Sequence, residues 1–503
     1  MAGITIQKNY VSSSLASTTL ANNWTVLVLG ITDRGPVVPT LVQTYSTFTK
    51  LFGQPVKNTP THAYMSLLLN SGVPVLFKRV LDTGVEVFKN ASVEVEDLFT
   101  VKATDIYSGA AGNDISITIN KNTTTSACNL TVNYKKNVVK TYPLGIATAS
   151  TTLGDLLFAF LSDDIEENDY VTFTMTNTAA DDWKNAFVID TKEYTLANGA
   201  TPDNTLESAI TILSNADSKI WSADRKLKNA AVYYPQLRFI TSGGIISDDT
   251  ETQNKINHNM GLFATACGTS FRVLVDYSLE DTSTATPRNF ANEEITDGSV
   301  SPAVYAYFGF WGWGADSWLP GSAGFLSALG LSGYNVYSRR IAGSSFNPAF
   351  SKAYEEVFID ALNDWQAEDQ IQINPIVIVD AQDNLAVMGS STLAAPIGSS
   401  RRNPSQALDI VLVGDYVANL LNNIALGELE SALDRLSINS LSSKMSQEVE
   451  KFVTSRAITR YDFTFDTTQL GKLGINCTLY FAVGLEEVEL TVTSVYDTTA
   501  IAQ

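Results

Sequence analysis

The first clear pattern in the chain is an apolar run, Trp24 to Ile31, whose length and content predict a strand. Asp33-Arg34-Gly35-Pro36 follows it. Proline fixes φ and glycine tolerates positive φ, so the strand is expected to stop there in a turn. Ser46 can accept a hydrogen bond from an early helix N–H and opens a short helix that Phe52-Gly53 closes. A second helix is predicted from Thr61 to Ser71, ending at Gly72, and Val73 to Val80 reads as the next strand. The first hundred residues therefore predict a compact β-turn-α-α-β unit.

The period then changes. Between about Val85 and Asn204, Val93-Glu94-Val95, Phe99-Thr100-Val101-Lys102, Ile115 to Ile119 and Leu130-Thr131-Val132 alternate apolar and polar, with turn residues between them. This predicts an inserted, mostly β domain. Within it, Gly112 and Asn113 are expected to make a tight turn that sets the register of the next strand. From about Leu206 helices and strands alternate. Strands are predicted over Ala231 to Ile240, Phe271 to Asp276, Ala303 to Phe310 and Pro375 to Asp380, and helices over Glu251 to Ala266 and Ser351 to Gln366. That order specifies an α/β sandwich. After Arg401-Arg402-Asn403-Pro404 come an amphipathic helix from Ser405 to Asn422 and a helix over about Ser440 to Ser455. Strands then begin at Ala457 and run over Ile475 to Val483 and Val488 to Val495.

At 503 residues the chain is too long for one core, and its 45% apolar content can fill several. A net charge of −20 argues against nucleic acid as a partner, which needs a basic face, and favours something basic. Three scattered cysteines, Cys128, Cys267 and Cys477, fit neither a disulfide framework nor a zinc site, and read as free thiols. Met1 to Tyr10 lacks the pattern of a signal peptide, and no apolar run approaches a membrane span. Ile4 and Ile6 alternate with polar neighbours, and Ser12 to Asn22 has nothing to bury, so residues 1–22 are expected to form an extended arm.

Catalytic constellations are weak. His62 and His258 fall in predicted helices outside any metal spacing, and no GxSxG elbow is present. Gly309 to Gly314 is wrongly spaced for a dinucleotide loop, and Gly471-Lys472-Leu473 lacks the rest of a P-loop. No cofactor is implied. Adjacent acids (Asp163-Asp164, Glu166-Glu167, Asp181-Asp182, Asp248-Asp249, Glu486-Glu487) together with Trp311, Trp313 and Trp318 leave one alternative, a sugar-binding or sugar-cleaving surface protein.

The opening β-turn-α-α-β order resembles the start of the tail sheath proteins of contractile phages and related injection machines. The string Gly109 to Ile119 is similar to a Gly-Asn element of that family, and Leu274-Val275-Asp276 to its strand end before an aromatic strand. The C-terminal helices and strands are also similar in order. Two departures stand out. Trp318 to Gly324 replaces a Pro-rich aromatic loop, and Ala482-Val483 lacks the usual proline.

The resemblance implies a non-enzymatic subunit of an α+β and α/β multidomain class, with an α/β sandwich core, an inserted mostly-β domain and extended N- and C-terminal arms. The expected segments are an arm over 1–22, a core over 23–84 and 206–385, an insert over 85–205, and a C-terminal domain over 386–503. It further implies hexameric rings stacked around a tail tube, with baseplate and tail terminator proteins as partners in a virion assembled in the host cytoplasm. In that picture Ile4, Ile6, Leu490, Val492 and Val495 exchange strands between subunits, and Arg401 and Arg402 face the tube.

Overall fold

A computed structural model describes residues 24–81, 89–163, 165, 168–184, 186–187, 191–201, 204–222, 225–228, 233–234, 236–267, 271–278, 285–308, 311–313, 317–338, 345–346, 373–374, 376–378, 385–387, 391–394, 407–427, 435–466 and 474–482. The chain divides into two compact units, Met1–Gly427 and Glu428–Gln503.

The first unit begins with β1 (Thr25–Gly30), β2 (Thr40–Val42), α1 (Tyr45–Phe52), α2 (Thr61–Asn70) and β3 (Val75–Arg79). The insert carries β4 (Ser92–Val95), β5 (Phe99–Ala103), β6 (Ile115–Lys121), β7 (Ala127–Tyr134), β8 (Asn137–Ile146), α3 (Leu153–Ser162), β9 (Val171–Met175) and β10 (Thr191–Thr195). The chain then returns through α4 (Leu206–Ser214), β11 (Leu237–Thr241), α5 (Thr250–Ala266), β12 (Arg272–Val275), α6 (Ala285–Asp297) and β13 (Tyr305–Phe308). After these come β14 (Trp311–Trp313), β15 (Ser317–Leu319), α7 (Gly321–Leu331), β16 (Ser345–Phe346), β17 (Ile373–Asn374), β18 (Ile376–Ile378), β19 (Leu385–Val387) and α8 (Leu408–Gly427).

A seven-stranded sheet in the order β17-β13-β12-β11-β1-β3-β2 is the centre of this unit. All its adjacent pairs are parallel except β2 with β3. Parallel sheets are covered on both faces, which is why β1, β3 and β11 are buried at every position. Alternate residues of β1 point into different cores. Val26 and Val28 join Phe48, Phe52, Tyr64, Phe77, Phe325 and Leu412 on one face, which brings α1, α2, α7 and α8 together. Leu27 and Leu29 join Leu213, Ile256, Met260, Phe263 and Phe290 on the other, from α4, α5 and α6.

The insert has its own core. Its strands form two antiparallel sheets, β4-β5-β9 and β10-β6-β7-β8, around Phe99, Ile117, Leu130, Leu157 and Trp183. Trp183 stacks on Phe99 with ring centroids 5.7 Å apart. Thr152 and Asp155 form a capping box on α3.

Several expectations change in detail. Thr44 caps α1 in place of Ser46, because its extended backbone lets its Oγ1 accept from the N–H of Thr47 at 3.1 Å. Gly112 and Asn113 form no hairpin turn. They lie in a 3₁₀ segment, Gly109–Asp114, where the Asn113 amide accepts from the Gly199 N–H and donates to the Gly199 carbonyl. The pair therefore ties two distant segments of the insert together. The strand expected over Pro375 to Asp380 appears as β18, but in the antiparallel sheet β16-β19-β18, while the short β17 just before it closes the large sheet. The helix expected over Ser351 to Gln366 lies outside the described residues.

The second unit contains α9 (Arg435–Thr454), β20 (Arg460–Asp466) and β21 (Gly474–Tyr480). Tyr461, Phe463 and Phe465 pair with Leu479, Cys477 and Ile475, giving the ribbon one apolar face. The hydroxyl of Tyr461 donates to the carbonyl of Ser446 on α9 at 3.2 Å.

Candidate functional site

The insert is fastened to the sheet by a buried arginine. Arg79 ends β3 and is 1% exposed. Its Nη1 donates to the Gly35 carbonyl at 2.9 Å and to Ser108 Oγ at 3.1 Å, and its Nη2 donates to the Thr32 carbonyl at 3.1 Å. Ser108, in the insert, donates in turn to the same Gly35 carbonyl at 2.8 Å. Burial pushes the Arg79 pKa down to about 10, which leaves it charged at neutral pH. Alongside, the Arg34 guanidinium lies 4.2 Å from the centre of the Tyr107 ring. The Asp33-Arg34-Gly35-Pro36 turn thus ends a strand and also presents carbonyls to Arg79. Gly35 is required there: its φ is +116°, and a Cβ would meet Phe52 at 2.4 Å.

A second polar centre lies inside the large sheet. Asp276, just beyond β12, is 1% exposed. It accepts from the Ser322 N–H at 3.2 Å and from Ser322 Oγ at 2.6 Å, at the start of α7. Tyr64 Oη lies 2.9 Å from Ser322 Oγ and 3.1 Å from Thr241 Oγ1, which connects α2 and β11 to the same point. Burial raises the Asp276 pKa from 3.8 to about 7, against the lowering by its bonds to Ser322. A folded-state pKa above the unfolded one means that the stability it contributes is fully present below about pH 4 and lost as pH rises through about 7. Asp276→Asn keeps a hydrogen-bonding side chain but cannot ionise. We expect the melting temperature of the native chain relative to this variant to fall between pH 5 and pH 8, measured by calorimetry, whereas a pH-independent difference would refute the assignment.

The histidines occupy separate structural positions. His62 is buried, with Nδ1 3.2 Å from the Tyr45 hydroxyl, and burial pushes its pKa down to about 4. His258 Nδ1 is 2.7 Å from Glu294 Oε1, and the Tyr305 hydroxyl donates to Glu294 Oε2 at 2.8 Å, joining α5, α6 and β13. No hydrogen bond joins either histidine to a serine or cysteine among the described residues. A cavity of about 390 Å³ opens beside β5, lined by Asn90, Lys102, Thr104, Asp105, Asn168 and Asp169 among others, with no histidine or cysteine in it. Among the described residues no cluster of three or more His, Cys, Asp or Glu could hold a metal ion, and no helix is long and apolar enough to cross a membrane.

The described acid pairs have local duties. Asp249 caps α5 by accepting from the N–H and Oγ1 of Thr252, Asp248 accepts from Ser278, and Asp181 pairs with Lys184. The backbone of Trp311 and Trp313 pairs with that of Leu319 and Ser317, and Gly312 with Trp318, in the ribbon β14-β15; the side chains on this ribbon lie outside the described residues. No observation supports the sugar reading. Ile4, Ile6, Arg401, Arg402, Leu490, Val492 and Val495 also lie outside the described residues.

The arrangement of sheets and helices has a counterpart among solved structures. The sheath tail protein of Listeria innocua superimposes over 92% of this chain and 95% of its own, with a TM-score of 0.56 and 13% identity. The chain has the tail sheath fold. The contracted-state helical sheath of the anti-feeding prophage aligns over 98% of both chains, with a TM-score of 0.48 and 11% identity. A sheath tail protein of Desulfitobacterium hafniense covers 95% of this chain at a TM-score of 0.44 and 14% identity. No protein-family model and no curated protein sequence matches the chain.

The sequence does not single out Arg79, and it marks Asp276 only as the end of the Leu274-Val275-Asp276 strand, not as a buried centre. The available signal was a charged residue at the end of an apolar strand in each case, Lys78-Arg79 and Val275-Asp276. A charge there is either exposed or fully partnered, and sequence does not say which.

Proposed function

We propose that this chain is the structural, non-enzymatic subunit of a contractile sheath. Copies assemble into hexameric rings stacked around a tail tube and meet baseplate and terminator proteins at the two ends. Contraction proceeds by rearrangement of subunits and drives the tube through the host envelope, releasing energy stored at assembly without a fuel molecule. The observation that carries this reading is the near full-length match to a sheath tail protein, 92% of this chain against 95% of that one.

Strand exchange at the termini is the proposed linkage. Among the described residues of the second unit the ribbon β20-β21 has only two strands, and a lone two-stranded ribbon is marginal in water. A third strand, from Leu490 to Val495 or from the Ile4 and Ile6 arm of a neighbour, completes such a sheet by edge addition. Reach permits it: 22 extended residues span up to ~70 Å, against a radius of gyration near ~23 Å for a compact chain of this size.

Electron microscopy of the purified chain tests the reading. Tubes or stacked rings are expected, and discrete monomers under all assembly conditions would overturn it. A further proposal assigns Arg401 and Arg402 to the tube face, where two cations in a chain of net charge −20 can meet tube carboxylates. Reversing both charges is expected to impair co-assembly with tube while sparing tube-free polymers; equal assembly on tubes would refute that role.

A further inference from the structure

An irregularity in β11 places a second arginine in the core. Thr25 pairs with Leu237 and Val26 with Phe239, so Arg238 is the extra residue of a bulge, a device that re-aims a side chain. Arg238 is 2% exposed, and its guanidinium lies 4.9 Å from the centre of the Tyr416 ring on α8. Among the described residues its Nη1 donates to the carbonyl of Leu237, at 2.8 Å. Its Nε and Nη2 are buried and have no hydrogen-bond partner among the described residues. Orphaned donors on a buried charge are unfavourable, and each such group calls for an explanation.

The neighbouring strand supplies the explanation. Arg272 is paired in register with Phe239. It donates to Asp415 of α8 from Nε at 2.8 Å and from Nη2, both to Oδ2, and from Nη1 to the Ala303 carbonyl at 3.2 Å. Two arginines on adjacent strands thus lie against the same stretch of α8, Arg272 on Asp415 and Arg238 on Tyr416, with unused donors on Arg238. Asp415 also exerts an attractive charge interaction on Arg238.

We propose that Asp415 is a shared counter-ion that passes between Arg272 and Arg238, giving α8 two alternative seatings on the sheet with its half-buried carboxylate paired in both. In the second seating Arg238 gains its missing acceptor. Arg272, whose side chain is 12% exposed, keeps the Ala303 carbonyl and the better access to water. Small helix shifts between two packed arrangements are an established form of bistability. The exchange belongs to a single subunit, so it is tested there and does not depend on the assembly reading.

The test is a double-mutant cycle in the full chain, read by hydrogen exchange of the α8 backbone. R272Q alone is expected to accelerate exchange less than about threefold, because Arg238 takes the carboxylate, and R238Q alone is expected to change it little. The double variant R238Q/R272Q leaves the half-buried Asp415 with neither arginine, and is expected to exceed the product of the single effects by roughly tenfold. R272Q exchanging as fast as the double variant, or effects that simply multiply, would overturn the proposal. So would an R272Q chain that cannot fold, since Arg238 would then have failed to replace Arg272. As a second measurement in the folded R272Q chain, the Arg238 Nε–H NMR resonance is expected to move downfield, and an unchanged resonance counts against the exchange.

Discussion

Deleting residues 1–22 is expected to leave a folded subunit that no longer forms tubes. Residues Ser12 to Asn22 are mostly small and polar, so the deletion is expected to remove little buried apolar area and to leave the melting temperature within a few degrees. Assembly is the opposite case. In the proposed assembly each strand-exchange hydrogen bond would contribute only about 1 kcal/mol, but the links would be intramolecular once a ring had formed, so removing one from every subunit would act at every joint of the lattice. Light scattering and microscopy of the full and truncated chains at equal concentration decide it. Long tubes from a truncated chain with an unchanged melting temperature would show that the arm is not the linker.

The second large effect is expected at Arg79. Replacing it with methionine keeps the volume but removes the donors to the Thr32 carbonyl and Ser108 Oγ, and leaves the Gly35 carbonyl with Ser108 Oγ as its donor. At about 1–3 kcal/mol for a buried group that loses its partner, and with the relief of no longer burying a charge acting against it, a net loss of about 1–3 kcal/mol is expected. The loss has a location as well as a size. Ser108 is in the insert, whereas Gly35 and Thr32 follow β1 of the large sheet, so limited proteolysis is expected to separate insert from sheet in Arg79→Met sooner than in the native chain. Arg79→Lys, with one ammonium for three acceptors, is expected to fall between the two. Denaturant unfolding within about 0.5 kcal/mol of the native chain, with an unchanged cleavage pattern, would remove the joint from consideration.

The order of elements was legible in the sequence because local rules govern it. The apolar run at Trp24 to Ile31, the glycines at 53 and 72 with φ of +88° and +78°, the alternation in Ile115 to Ile119 and the 3.6-residue period of α5 are each written within a few neighbouring positions. Short-range competition accounts for the misplaced cap: Thr44 and Ser46 both carry a hydroxyl able to cap, and the backbone conformation at Thr44 decided between them. The Gly112-Asn113 pair was read as a turn because that is its commonest local role, and its actual partner, Gly199, is 86 residues away from Asn113.

The sequence by itself determined the succession of strands and helices, the presence of a β-rich insert within an α/β chain, and the resemblance to tail sheath proteins, because periodicity, turn residues and element order are local properties. Only the tertiary structure decided which charges are buried. Arg79, Arg238, Asp276 and Glu294 look in sequence like any charged residue beside an apolar run, yet each is less than 5% exposed. The reason is that the penalty for burying a charge is offset by partners far away in the chain: Arg79 by Gly35 and Ser108, Asp276 by Ser322, Glu294 in part by His258. Those partners are brought together only when the sheet closes and its helices settle on both faces.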